Sequence, residues 1–139
     1  MSNISSKPKK GIMCDSMDIT ATFVSALGIT PSSFYKGENI FLSNKNFVVS
    51  ESCGSGNADI KRKDVYFTVS TKKFKMMATL SDQGLKIRKL FNKEKDPYEL
   101  TDISQNKVYK RDVKNLVKIL YQKRNEIFKI KGIKKDPFA

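Results

Sequence analysis

Apolar residues recur along this chain at two spacings, three to four apart near both ends and two apart in the middle. In DSMDITATFVSALGI, from Asp15, the residues Met17, Thr20, Val24 and Leu27 fall on one helix face. Asp15, Ser16 or Asp18 offers the N-cap. Gly28 suits the end, and Pro31 forbids continuation. Thr and Val weaken the intrinsic propensity, so this short helix needs a surface to pack on. TPSSFYKGENIFL reads as an irregular loop and NFVVSES as a strand. CGSGNADIKRK is loop chemistry. DVYFTVST and KFKMMATL are strands joined by a tight turn at Lys72-Lys73, and SDQG, residues 81–84, turns the chain again. In LKIRKLF, Leu85, Ile87 and Lys89 alternate with Lys86, Arg88 and Leu90. Strands at 65–71, 74–80 and 85–91 form an antiparallel meander, with 47–51 as a fourth member.

From about Gln105 to Phe128 the spacing returns to that of a helix. Val113, Leu116, Val117, Leu120 and Ile127 make the stripe, and Val108, Tyr109, Tyr121 and Phe128 widen it. Ser104 is the candidate cap. Arg124 interrupts the stripe, although its aliphatic stem suits an apolar surface. Lys110, Lys114 and Lys118 form a like-charged row. A sheet of three or four strands leaves one face for a helix to cover. The expected fold is therefore α+β: a small four-stranded antiparallel sheet packed by a long C-terminal helix, with a short helix before it.

Composition narrows the chemistry. The 139 residues leave room for one ordinary domain, and 39% are hydrophobic. No apolar run approaches a membrane span or a secretory leader, so the expected location of the chain on its own is cytoplasmic. The absence of histidine removes the commonest general base and metal ligand. The net charge of +13 lies wholly in residues 61–139; residues 1–60 hold five Lys against five acidic groups. Such a surface attracts polyanions. Only Arg62, Arg88, Arg111 and Arg124 are arginines among 27 basic residues, whereas bidentate phosphate and base contacts favour Arg.

Three stretches invite a functional reading. Tyr66, Phe67, Phe74 and Phe91 interleave with Lys72, Lys73, Lys75 and Arg88, a pattern that serves base stacking or, more simply, a core under a helix. Ser52 to Asp59, SCGSGNAD, has glycines to cradle a phosphate but lacks a phosphate-loop ending and GxGxxG spacing. Cys53 has no histidine to activate it, and Glu51 with Asp59 or Asp64 is a carboxylate pair on paper only. Cys14 and Cys53 are read as thiols rather than as a disulfide.

Four ordered pieces resemble the sulfatase family. Ser16 to Phe41 is similar to the segment closing the family's catalytic domain: Asp18, Thr22, Gly28, Ile29, Pro31 and Gly37 match. Ala21 stands for the family proline, Leu27 for an alanine and Asn39 for a serine. VVSES resembles a strand bearing a glutamate. VYFTVSTKKFKMM resembles a strand pair in which Thr71 and Lys75 match and Ser70 replaces an arginine. KLFNKEKDPYEL resembles the family's late motif through Leu90, Phe91, Asp96, Pro97, Glu99 and Ile103, with Asn92 for aspartate, Lys93 for leucine and Asp102 for asparagine.

The resemblance implies the C-terminal portion of a sulfatase-like hydrolase of the alkaline phosphatase-like superfamily. Residues 15–44 would be the end of the catalytic α/β domain and 45–130 the C-terminal subdomain, between tails at 1–14 and 131–139. Family chemistry needs a Cys/Ser-x-Pro-x-Arg nucleophile oxidised to formylglycine, a calcium site, and His and Lys contacts to sulfate. Neither Cys14 nor Cys53 has that context. The expected catalytic, cofactor-binding and metal residues within this chain are therefore none, with calcium confined to the missing catalytic part. The expected partner is that part or another chain, with neither a specific nucleic acid nor a membrane span. A small basic nucleic-acid-binding module and an unrelated interaction domain remain the alternative classes.

Overall fold

The computed structural model describes residues 11–30, 35–52, 65–81 and 83–130, with backbone alone for Ser81 and for 126–130. The chain divides into two compact units, Met1–Val48 and Val49–Ala139.

The first unit is built on helix α1, Ser16–Ala26. Asp15 caps it, its carboxylate accepting from the amides of Met17 at 3.0 Å and Asp18 at 3.2 Å. The Asp18 side chain accepts in return from the Asp15 amide at 2.8 Å, closing a capping box. At the other end the Gly28 amide donates to the Ser25 carbonyl and the Ile29 amide to the Val24 carbonyl. This termination needs a left-handed residue, and Gly28 supplies it with φ 73°.

The buried side of α1 is not the apolar stripe that spacing predicts. Asp18 and Ala21 are buried, whereas Met17, Ile19, Phe23 and Leu27 are 46%, 53%, 68% and 74% exposed. The reason is steric and polar. A Cβ on Gly37 would lie 2.2 Å from the Met17 carbonyl oxygen, so the returning chain passes against the helix's first turn where only glycine fits. That chain fastens to Asp18 and Thr22, turning the polar side of α1 inward.

The sheet has the order β1-β2-β3-β4, with β1 Phe47–Ser52, β2 Val65–Thr71, β3 Phe74–Ser81 and β4 Gly84–Asn92. This is the expected four-stranded antiparallel meander. Val65, Phe67 and Val69 oppose Leu80, Ala78 and Met76 across the β2–β3 pair, and all six are buried. The 65–71 and 74–80 strands therefore share one inward face at alternate positions. Thr71 closes the turn at Lys72-Lys73: its hydroxyl accepts from the Phe74 amide at 2.9 Å and donates to the Phe74 carbonyl at 3.1 Å.

Strand β4 departs from simple alternation. Ala78 opposes Ile87, yet Met77 opposes Lys89, so Arg88 is an extra residue bulged out of the pairing. The expected partition, Lys89 with Leu85 and Ile87 against Leu90 with Lys86 and Arg88, is corrected at this point. The bulge resets the parity. Leu90 joins Leu85 and Ile87 on the core face, opposite buried Met76, and Lys89 turns outward. Burying Leu90 rather than the Lys89 ammonium favours this register by several kcal/mol, about the cost of hiding an unpaired charge.

The core face is closed by helix α2, Lys110–Ile130, entered through a 3-10 turn at Lys107–Tyr109. Asn106, not Ser104, caps the turn, accepting from the Val108 amide at 3.0 Å. Ser104 instead donates its amide to Asp102. Leu116 and Leu120 are buried among the sheet residues, with Val113, Val117, Ile119 and Tyr109 packed at the margin. Val108 is 80% exposed and does not widen the stripe. Ile127 and Phe128 lie beyond the residues whose side chains are described. Arg124 is 4% exposed, and its guanidinium stacks 4.8 Å from the Phe67 ring centroid. The interruption of the stripe is thus part of the core surface, a cation resting on an aromatic face.

Candidate functional site

Two polar arrangements hold most of the motif residues. The first lies within the 1–48 unit. Asp18 has no exposure, yet its carboxylate is saturated: the Lys45 ammonium donates at 2.6 and 2.8 Å, the Glu38 amide at 2.7 Å and the Asp15 amide at 2.8 Å. Lys45 also reaches Asp15 at 2.9 Å. One turn on, the Thr22 hydroxyl donates to the Asp18 carbonyl at 2.6 Å and accepts from the Ile40 amide at 2.9 Å. Ser43 donates to Glu38 at 2.7 Å. Burial pushes the Asp18 carboxyl up, but the Glu38 amide, the Lys45 ammonium and the Asp15 amide outweigh it and hold it below the ordinary carboxylate range. Burial pushes Lys45 down, and its bonds to Asp18 and Asp15 more than restore it, leaving it above the usual lysine value. Asp18 and Thr22, one turn apart on α1, meet the sequence-distant Gly37 segment here.

The second arrangement lies where the KLFNKEKDPYEL stretch leaves the sheet. Strand β4 ends at Asn92, whose side-chain oxygen accepts from the amides of Glu94 at 3.1 Å and Lys95 at 3.2 Å. Asp96 and Pro97 turn the chain. Amides of Thr101, at 2.7 Å, and Leu100 lead the donors that hold the Asp96 carboxyl below its usual value. Glu99 takes a left-handed φ of 57° and pairs with Lys75 of β3. The segment then returns along the outer edge of β4: the Asp102 carboxylate accepts from the Leu90 amide at 3.0 Å and the Ser104 amide at 2.9 Å, and the Ile103 amide donates to the Leu90 carbonyl at 2.8 Å.

These bonds carry a prediction. Burial acts to raise the Asp102 carboxyl, but the Leu90 and Ser104 amides, with Lys89 assisting, hold it below the ordinary carboxylate value. A depressed carboxyl stabilises the fold above its unfolded pKa, and that stabilisation is lost as pH falls through the folded value. Asp102→Ala should cost about 1–2 kcal/mol at neutral pH, because two amides lose their acceptor. Asp102→Asn keeps a neutral acceptor, so it should sit close to the parent and lose less on acidification from pH 5 to pH 2. Urea titrations of the three proteins at both pH values check this, and equal acid sensitivity of parent and Asn variant would refute it.

The same corner contains a serine–lysine contact, Lys93 Nζ to Ser70 Oγ at 2.9 Å. Burial lowers Lys93, with Glu99 opposing and nearby Lys75 adding to the effect. In a serine nucleophile the amine must accept the hydroxyl proton. Here the ammonium donates, and the neighbouring carboxylate is paired with Lys75, so the contact fastens the 93–101 turn to β2 without activating Ser70.

The other candidate residues separate. Phe67 and Phe74 are buried under α2, and Phe74 meets Tyr109 edge-on at 5.8 Å. Phe91 is buried on the opposite side of the sheet. Tyr66 alone of the four is exposed, so base stacking keeps a single ring. Lys72 and Lys73 are exposed at the hairpin, and Lys75 is engaged by Glu99. Cys14 is exposed. Cys53, Asp59, Asp64 and the rest of SCGSGNAD after Ser52 lie outside the described residues, as does the Cys14–Cys53 question. Among the described residues no three Cys, Asp or Glu side chains gather as a metal-binding group, and the adjacent Asp15 and Asp18 share the Lys45 ammonium. That donor set does not fit calcium, which takes six to eight oxygens. What sequence reasoning missed is Lys45, whose only signal was being a lone cation in an otherwise uncharged stretch.

No protein-family model matches the chain, and no curated protein is similar to it in sequence. Solved structures do share its fold. The structure of BT4656 in complex with its substrate D-glucosamine-2-N,6-O-disulfate matches with a TM-score of 0.61 at 15% identity, over 86% of this chain and 25% of that one. A protein assigned as a sulfatase from Bacteroides thetaiotaomicron VPI-5482 matches with a TM-score of 0.61 at 19% identity, over 86% and 27%. BT1596, a 2-O GAG sulfatase, matches with a TM-score of 0.59 at 18% identity, over 82% and 26%. The chain spans about a quarter of the length of each. The fold is therefore one that occurs inside sulfatase chains.

Proposed function

We propose that this chain is the C-terminal portion of a sulfatase-like hydrolase, a lobe that completes a larger body and does not hydrolyse sulfate esters by itself. The observation that carries this reading is α1. An eleven-residue helix holds Met17, Ile19 and Phe23 about half exposed or more, with Leu27 at 74% and Ile29 at 56% just beyond it. A self-contained domain does not leave its large apolar side chains outward while burying an aspartate. A helix whose apolar side packs on another body does. The fold shared with a quarter of each sulfatase chain supports the same conclusion, and two of those proteins act on sulfated sugars according to their descriptions. In the complete enzyme the nucleophile, the calcium ion and the sulfate contacts belong to that body. The Asp18–Lys45 and Asp96–Glu99 arrangements hold the lobe in shape.

Two measurements test this. The purified chain should show no turnover of an aryl sulfate above buffer. It should also self-associate in light scattering and bind a hydrophobic dye, and Phe23→Ser with Leu27→Ser should restore a monomer and reduce dye binding. Sulfate ester turnover by the chain alone, or an unmodified chain that is monodisperse and dye-silent, would sink the proposal.

A further inference from the structure

The 93–101 turn closes a corner of the sheet on the face turned away from α2. Ser70 of β2 stands opposite Lys75 of β3, and Lys75 opposite the buried Phe91 of β4. Lys93 follows directly after β4. Its amide donates to the Lys73 carbonyl at 2.8 Å, and its partly buried side chain reaches back to Ser70 Oγ. The bonding of this ammonium sets it apart. Among the described residues, Lys45 ends on Asp15 and Asp18, Lys73 on Glu94 and Lys75 on Glu99, each a carboxylate. Lys93 ends on a neutral hydroxyl, and the carboxylate that acts on it, Glu99, is bonded to Lys75. Both partners also stand where this chain departs from the pattern it otherwise resembles, Ser70 for an arginine and Lys93 for a leucine.

We propose that Lys93 is a nucleophilic amine that captures small aldehydes as an imine. The proposal is independent of the hydrolase reading. Lysines that form imines are those drawn from water or set beside a second cation, so that the neutral amine is within reach. Lys93 meets both conditions. Burial lowers it, Glu99 from the turn opposes, and Lys75 from β3 adds to the lowering; burial prevails. From β2 it meets only the neutral Ser70, and the Lys73 ammonium at the hairpin is turned to Glu94 and the Phe74 ring. In the reaction the Nζ lone pair adds to the carbonyl carbon and the π pair moves to oxygen. One amine hydrogen passes to that oxygen, giving a carbinolamine. The carbon–oxygen bond then breaks, and the hydroxyl leaves with the second amine hydrogen as water. Nothing is oxidised or reduced. Ser70 Oγ, at 2.9 Å from Nζ, is within reach to accept the first proton and hand its own to the oxygen.

The test treats the full chain at neutral pH with glycolaldehyde, a small neutral aldehyde, and cyanoborohydride, whose hydride fixes each imine as a stable amine. Peptide mapping by mass spectrometry reads the rate at every lysine. Lys93 is expected to label at least about fivefold faster than the exposed Lys72 and Lys86. Two variants then break the same ion pair from opposite ends. Glu99→Gln removes the carboxylate that favours the ammonium, so Lys93 should label about threefold faster. Lys75→Gln removes the second cation and releases Glu99 to Lys93, so labelling should fall about threefold. A turn that merely loosened would move both variants in the same direction. Labelling of Lys93 no faster than that of Lys72 and Lys86 would overturn the proposal, and so would a shift of the same sign in the two variants.

Discussion

Asp18→Ala is expected to free α1 from the segment that crosses it, at a cost of about 3–5 kcal/mol to the 1–48 unit. The magnitude follows from what stays behind. Lys45, with 17% side-chain exposure, loses the acceptor that takes its two shortest bonds and keeps only Asp15. The part-buried Glu38 and Asp15 amides lose their acceptor together, which adds to the cost. The capping box opens at the same time. Hydrogen exchange should rise across α1 while β2–β4 stay protected, since their core residues form a separate cluster. The same contact gives a pH window. The Asp18 carboxyl is held below 3.8, so its stabilisation is complete above that value and fades as pH falls through the lower, folded one. The Lys45 ammonium is held above 10.5, so its share is present at all lower pH and disappears only as pH rises through the raised value. Exchange in α1 should therefore be flat between about pH 5 and pH 9, once corrected for intrinsic rates, and accelerate in acid. Protection unchanged in Asp18→Ala would show that the pair does not hold the helix.

Phe67→Ala is the second large effect, about 3–5 kcal/mol against the 49–139 unit. The ring is 2% exposed, faces Ala78 across the sheet and fills the space beneath α2. Its removal leaves a cavity that Ala78 is too small to fill. It also strips Arg124 of the aromatic face under its guanidinium, at a site 4% exposed. Phe67→Leu restores most of the volume but no π-face, so the difference between the Leu and Ala variants measures packing. The remaining gap to the parent contains the cation–aromatic contact, about 0.5–2 kcal/mol. Urea midpoints give both numbers. A Leu variant no better than Ala would show that volume is not what Phe67 supplies.

Much of the fold was legible because the pattern and the punctuation agreed. In β2 and β3 alternation, β-branched residues and the Lys72-Lys73 turn all point to one hairpin, and the register follows. In α2 the stripe through Leu116 and Leu120 was plain. Reading failed where a polar or backbone constraint outranked hydrophobic spacing. In α1 the apolar positions Met17 and Leu27 suggest a buried face, but Asp18, Thr22 and the close approach at Gly37 decide the orientation. In β4 the shift from Leu85 and Ile87 to Leu90 is visible in the sequence as a broken alternation, and a bulge is the structure that accommodates it. Ser104 looked like a cap by residue type, yet Asn106 stands at the entrance to the turn. The motif residues were legible only as a resemblance. Their physical tasks emerge once Lys45 is seen beneath Asp18 and Glu99 beside Lys75.

The return of Asp102 and Ile103 along β4 bears on how copies of this protein meet. Strands at the border of a sheet recruit further strands through their idle amides and carbonyls. At Leu90 both groups are already engaged, by the Asp102 carboxylate and the Ile103 amide. A neighbouring molecule cannot zip along that border without first peeling the segment away. Strand-by-strand growth from this side is therefore blocked at Leu90.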